Sequence, residues 1–140
     1  LYGALLNEGS RFYDQRIGQS TTLTGRSIVK HMNSKLNEVI SGTYEIGDAI
    51  IYIDTDSAYF SAESLAESSP EIAEILKDRE ATSILYDQIA NEVNDSFPEF
   101  MKKTFHTSID NGAIIKAGKE LVASKGIFIT KKRYALLCYE

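Results

Sequence analysis

The chain has 140 residues, 43% of them apolar and 25% charged, with a formal net charge of −5 and one cysteine. That length allows one domain with a real core, and a single cysteine excludes an internal disulfide. No apolar run approaches the roughly 20 residues that cross a bilayer, which excludes a membrane-spanning helix. The chain starts at Leu1 with neither an initiator Met nor a basic leader. This fits a piece of a longer protein without a signal peptide, and the lone cysteine fits a reducing compartment. The negative charge alone argues against a nucleic-acid partner, but its distribution qualifies that. From Glu45 to Glu99 there are fourteen acids against two bases, Lys77 and Arg79; from Lys116 to Arg133 there are six bases against one acid, Glu120. Such a split permits a metal-attracting region beside an anion-binding one.

In chain order, Leu5, Leu6, Phe12, Tyr13 and Ile17 recur at helical spacing, weakened by Gly3 and Gly9. Gly18 to Thr24 is small and polar and is expected to be a connection. Thr24 then offers a cap for a second helix, whose stripe is Ile28, Met32, Leu36, Val39 and Ile40. Gly42 stands at the position of a left-handed C-terminal cap. After a short loop, Asp48 to Ala62 runs as strand, acid pair, strand. Ser69 and Pro70 then open a helix carrying Ile72, Ile75 and Leu76. A further helix is expected from about Ser83 to Phe105, with Ile84, Leu85, Ile89, Val93, Phe97, Met101 and Phe105 inward and Pro98 kinking or interrupting it. Asn111-Gly112 and Lys125-Gly126 are expected turns. Ile114-Ile115, Leu121-Val122, Ile127 to Thr130 and Tyr134 to Tyr139 are strand-like. Cys138 in that last run is expected to be a buried structural thiol. Helices and hairpins do not alternate regularly, so the expected class is α+β, with antiparallel hairpins packed on helices.

The chemistry concentrates at Asp54-Thr55-Asp56. If this stretch is a strand, alternation puts Asp54 and Asp56 on one face and Thr55 on the other. Two neighbouring carboxylates need a positive group between them or a shared proton, and magnesium suits hard oxygen donors. The bland alternative is a surface turn with solvated acids. An EF-hand calcium loop fails, because Tyr59 stands where Gly is required and Leu65 where a bidentate Glu is required. A haloacid-dehalogenase-type phosphatase also places D-x-D after an apolar strand, but its later acid pair is not found. A second constellation is Lys131-Lys132-Arg133-Tyr134, which can bind phosphates without reading sequence or can be a charged hairpin turn. Alternation would place Lys132 and Tyr134 on one strand face. His31 and His106 lack metal-ligand company and are expected to be structural or exposed.

Tyr52-Ile53-Asp54-Thr55-Asp56-Ser57 resembles motif C of family B DNA polymerases, usually Y-G-D-T-D-S, with Ile53 in place of Gly. Leu1-Tyr2-Gly3 followed by Asn7-Glu8-Gly9-Ser10-Arg11-Phe12-Tyr13-Asp14 is similar to the tail of motif B in tailed-bacteriophage replicative polymerases. Lys131-Lys132-Arg133-Tyr134 resembles the K-K-R-Y motif near the palm–thumb border. The resemblance covers the whole chain, though Leu65 to Gly112 matches in helical character more than in residues. It implies that residues 1–140 form a palm-domain piece of a DNA-directed DNA polymerase, acting by two-metal phosphoryl transfer with magnesium. Asp56 is then a direct metal ligand, with Asp54 beside it as ligand or support. Tyr2 and Gly3 line the nascent base pair, and Lys131, Lys132, Arg133 and Tyr134 contact primer–template DNA. Glu120 matches an acid near the catalytic carboxylates. Arg11 and Asp14 are expected to have ion-pair or packing roles.

The implied partners are primer–template DNA, deoxynucleoside triphosphates and the rest of the polymerase chain. A sliding clamp is implied only through parts outside this stretch, and the setting would be the host cytoplasm of a phage. The family's motif A aspartate and its fingers Lys and Arg do not precede Leu1, so the isolated stretch is expected to be inactive. Two alternatives stand beside this: a magnesium-dependent phosphatase, and a non-catalytic nucleic-acid-binding module that would tolerate loss of both Asp54 and Asp56.

Overall fold

The structure, a computed structural model, describes residues 1–45 and 47–139. Its elements run α1 (Tyr2–Leu6), α2 (Gln15–Ser41), β1 (Ile50–Asp54), β2 (Ser57–Phe60), α3 (Glu63–Ser68), α4 (Pro70–Ile75), α5 (Arg79–Phe105), α6 (Ile109–Gly112), β3 (Ala123–Thr130) and β4 (Arg133–Cys138). The class is α+β, with two antiparallel two-stranded hairpins, β1–β2 and β3–β4. No described helix is long and apolar enough to cross a membrane.

Two long helices build the core. The α2 helix begins earlier than its apolar stripe suggests. The Asp14 carboxylate accepts the Arg16 and Ile17 N–H groups and so caps it, and Thr24 lies inside the helix rather than at its start. Gly18 to Thr24 is therefore helical, not a connection. At the far end Gly42 adopts φ 82°, the left-handed cap that glycine favours. The α5 helix is capped by Asp78 and runs past Pro98 without interruption to a left-handed His106. Its inward residues Ile89, Val93, Phe97 and Met101 are buried as their spacing predicts, whereas Ile84 is exposed. Leu36 of α2 packs with Ile89, Val93 and Phe97, and Ala62 closes the cluster.

The β1–β2 hairpin lies against this core on one face. Ile50, Ala58 and Phe60 pack onto the helices. Tyr52 and Tyr59, paired across the strands, turn the other way and meet Phe128 and Tyr134 of the second hairpin. Simple alternation would put Ile50 and Tyr52 on one face. A register irregularity between them lets each face a different layer. Helices, first hairpin and second hairpin thus stack in that order.

The segment 113–122 is irregular rather than strand-like, and it is strapped to α5. The Asn94 side chain accepts the Ala117 N–H at 2.7 Å and donates to its carbonyl at 3.0 Å. Lys119 Nζ reaches Asp87 Oδ2 at 2.7 Å and Ser83 Oγ at 2.6 Å. Two expected turns are also relocated. Gly112 ends α6, and Gly126 sits inside β3 opposite Leu136. Cys138 is exposed, not buried: it lies at the end of β4, whose residues are mostly exposed.

Candidate nucleic-acid and metal interface

The two motif-bearing stretches are both hairpin tips. Asp54 pairs with Ser57, so Thr55 and Asp56 form a two-residue turn. Asp56 is therefore not a same-face strand neighbour of Asp54; the expected alternation stops at Asp54. The turn closes without glycine because Thr55 takes φ 42°. A β-branched residue is a true outlier there, and such strain concentrates at sites where the surroundings over-determine the backbone. The second tip repeats the arrangement. Thr130 pairs with Arg133, leaving Lys131 and Lys132 in the turn, with Lys132 at φ 63°. Lys132 and Tyr134 are thus not strand-face neighbours either.

Aromatic packing brings these tips together. Tyr52, Tyr59, Phe128 and Tyr134 form one cluster, with ring centroids 5.2–5.8 Å apart. The Tyr59 and Tyr134 hydroxyls share a hydrogen bond of 2.8 Å. That bond, with burial and the charges of Tyr134, Glu120 and Tyr52 behind it, pushes the Tyr59 phenol up to about 12. Tyr59 therefore stays protonated throughout the neutral range. The Lys132 N–H donates to the Tyr52 hydroxyl at 2.8 Å, and Lys132 Nζ lies 3.7 Å from Asp54 Oδ2. Asp54, on the same face as Tyr52, thereby meets a positive group supplied from within the chain. Both partners are partly solvated, so the pair itself contributes little stability.

Asp54, Lys132 and Tyr134 are therefore drawn into one region, with Lys131 and Arg133 exposed at its edge and Asp56 exposed at the acidic tip; Glu120 is exposed and makes no hydrogen bond or ion pair with any of them. Tyr2 is anchored elsewhere. Its hydroxyl bonds Thr22 on α2 at 2.6 Å, and Gly3 faces open space. Arg11 is exposed, and Asp14 serves as the α2 cap, its carboxyl held below the usual range by its hydrogen bonds from Arg16 and Ile17. A cleft of about 620 Å³ opens near Asn37, Gly47, Asp48, Ser61 and Glu63, away from both tips. Sequence reasoning missed the residues that assemble the region: Tyr52, Tyr59, Phe128 and the Asn94 strap. Tyr52 and Tyr59 lay in plain view as strand aromatics, and only their long-range partners were hidden.

Two hard carboxylates at a tight turn have the donor chemistry for magnesium. Among the described residues, however, no group of three or more His, Cys, Asp or Glu side chains converges to hold a metal. The donor type fits, and a complete cage needs at least one ligand from outside this set.

No protein-family model matches the chain, and no solved structure matches it. The chain is similar to a DNA-directed DNA polymerase of Escherichia phage RB69, at 34% identity over 152 residues. The match takes in 97% of this chain and 16% of that polymerase, so the chain spans about a sixth of the length of the relative it matches.

Proposed function

We propose that this chain is part of the palm of a phage-type family B DNA polymerase, which adds deoxynucleotides to a primer by two-metal phosphoryl transfer. The observation that carries this reading is the packing of the acidic turn at Asp54–Asp56 against the basic turn at Lys131–Arg133, in a chain similar over nearly its whole length to a phage DNA polymerase. Asp56 and Asp54 would hold magnesium, with a further ligand from another part of the polymerase. Bound magnesium ions would stabilise charge developing on the attacking and leaving oxygens. The chain's own residues would do the positioning. Lys131, Lys132, Arg133 and Tyr134 would follow the primer–template backbone, bringing the primer end to the acidic turn. Gly3, with nothing within 4 Å of where a Cβ would stand, leaves room for a base pair to approach the backbone beside Tyr2. Glu120 would lie at the margin of the site. Deoxynucleoside triphosphates and primer–template DNA are the substrates, and the host cytoplasm is the setting.

The test is Asp56→Asn in a complete polymerase carrying this stretch. Single-turnover incorporation should fall by several orders of magnitude, since charge stabilisation by a metal is worth several kcal/mol. Duplex binding should change little. Near-normal incorporation would remove Asp56 from the metal site.

A further inference from the structure

The Tyr52 hydroxyl has no part in the chemistry just described. It nevertheless accepts the Lys132 N–H at 2.8 Å, across 80 positions of sequence. Lys132 sits at φ 63°, a backbone conformation that a residue with a side chain adopts only when something holds it there. Little else does. Its ammonium pair with Asp54 is 3.7 Å long and largely solvated, and Lys131 beside it is exposed. The Tyr52 ring, by contrast, is fixed without its hydroxyl. Tyr59, Phe128 and Tyr134 surround it at centroid distances of 5.7–5.8 Å. The hydroxyl is thus the end of a rigid arm rooted in β1, two residues before Asp54.

We propose that Tyr52 is a positioning residue: its hydroxyl fixes the basic turn so that the Lys132 side chain is held across the acidic turn. One strand then sets both tips, since the segment that ends in Asp54 also anchors the backbone of Lys132. The consequence for DNA rests on the polymerase reading above; the consequence for the turn does not.

Tyr52→Phe keeps the ring and removes only the acceptor. In this chain, the Lys132 amide should exchange with solvent about tenfold faster, with little change in global stability, as for loss of one local hydrogen bond. Tyr59→Phe cuts the bond to Tyr134 instead and should leave Lys132 exchange as it was. In the Lys132→Gly background, where no ammonium is left to position, Tyr52→Phe should have much less effect on duplex binding than in the wild type. In the complete polymerase, Tyr52→Phe should flatten the salt dependence of duplex binding as far as Lys132→Ala does. Unchanged Lys132 exchange in Tyr52→Phe overturns the positioning role. Faster exchange, together with a salt dependence that Lys132→Ala itself does not alter, upholds the positioning role and refutes the phosphate contact instead.

Discussion

His31 shows how a single side chain is satisfied in this core. It is 8% exposed and stacks on Phe100 with centroids 4.0 Å apart. The Ser96 hydroxyl donates to the Val93 carbonyl at 2.6 Å, so its oxygen is left to accept from His31 Nε2 at 2.9 Å. The proton is therefore on Nε2, and Nδ1 accepts the Tyr44 hydroxyl at 2.6 Å. Burial holds the imidazole below its usual range; the nearby Lys35 adds to this, and Glu38 opposes it. The unfolded chain then binds the proton more readily than the fold, so stability rises with pH through this window and is lost on acidification below about pH 6.5. The loss cannot exceed about 1.4 kcal/mol per pH unit, the limit for a single proton. Urea midpoints measured from about pH 7 to about pH 5 should fall in the wild type and stay flatter in His31→Gln, whose amide does not titrate. A slope that survives the substitution would assign the acid sensitivity to another group. Asp14 is not that group, because its depressed carboxyl gives up its contribution only lower, in the carboxylate range.

At the scale of elements, two helical glycines separate propensity from packing. Gly25 lies within α2, with nothing within 4 Å of where a Cβ would stand. Gly25→Ala should therefore stabilise the protein by about 0.5–1 kcal/mol, the ordinary helix preference. At Gly112, the end of α6, an added Cβ would stand 3.0 Å from the Pro98 Cα and 3.1 Å from the Met101 Cβ, both rigid parts of α5. Gly112→Ala should destabilise by roughly 1–3 kcal/mol through overpacking. Thermal melts of the two variants should shift in opposite directions, and shifts of the same sign would show that α6 moves freely on α5. The same contrast explains what the sequence could disclose. The stripes through Leu36 and Ile40 and through Ile89, Val93 and Phe97 were legible because burial has the period of the helix. The start of α2 was not, since Thr21 and Thr22 look like loop residues until their hydroxyls are seen on the Ile17 and Gly18 carbonyls. The strap at 113–122 depends on Asn94, 23 positions from Ala117, and has no local signal. Both site turns escaped for a common reason: Thr55 and Lys132 take conformations that turn rules reserve for Gly or Asn.

Across the whole molecule, the aromatic cluster joins an acid-rich hairpin to a base-rich one, and their charges have different fates. Lys119 belongs to the basic run by composition, but its ammonium is spent on Asp87 and Ser83. Among the described residues, the Lys132 ammonium has only the long contact to Asp54, and its side chain is two-thirds exposed, at 67%. The fold therefore separates an internal cation from one available to a polyanion, a distinction that counting bases cannot make. If Lys132 meets a phosphate, it releases a counterion, and each such contact adds about −0.9 to the slope of log affinity against log salt on duplex DNA. In the complete polymerase, Lys132→Ala should flatten that slope by roughly one unit, equally for unrelated sequences, because phosphate contacts carry no base code. Lys119→Ala should leave the slope alone and instead lower stability, by releasing 113–122 from α5. Tyr134→Phe removes no charge, and its hydroxyl bonds Tyr59 rather than the basic turn, so its slope should match the wild type. Duplex binding across a salt series decides among these. A slope unchanged in Lys132→Ala would make the basic turn a solvated tip, and one altered equally by Lys119→Ala would mean that the strap opens when DNA arrives.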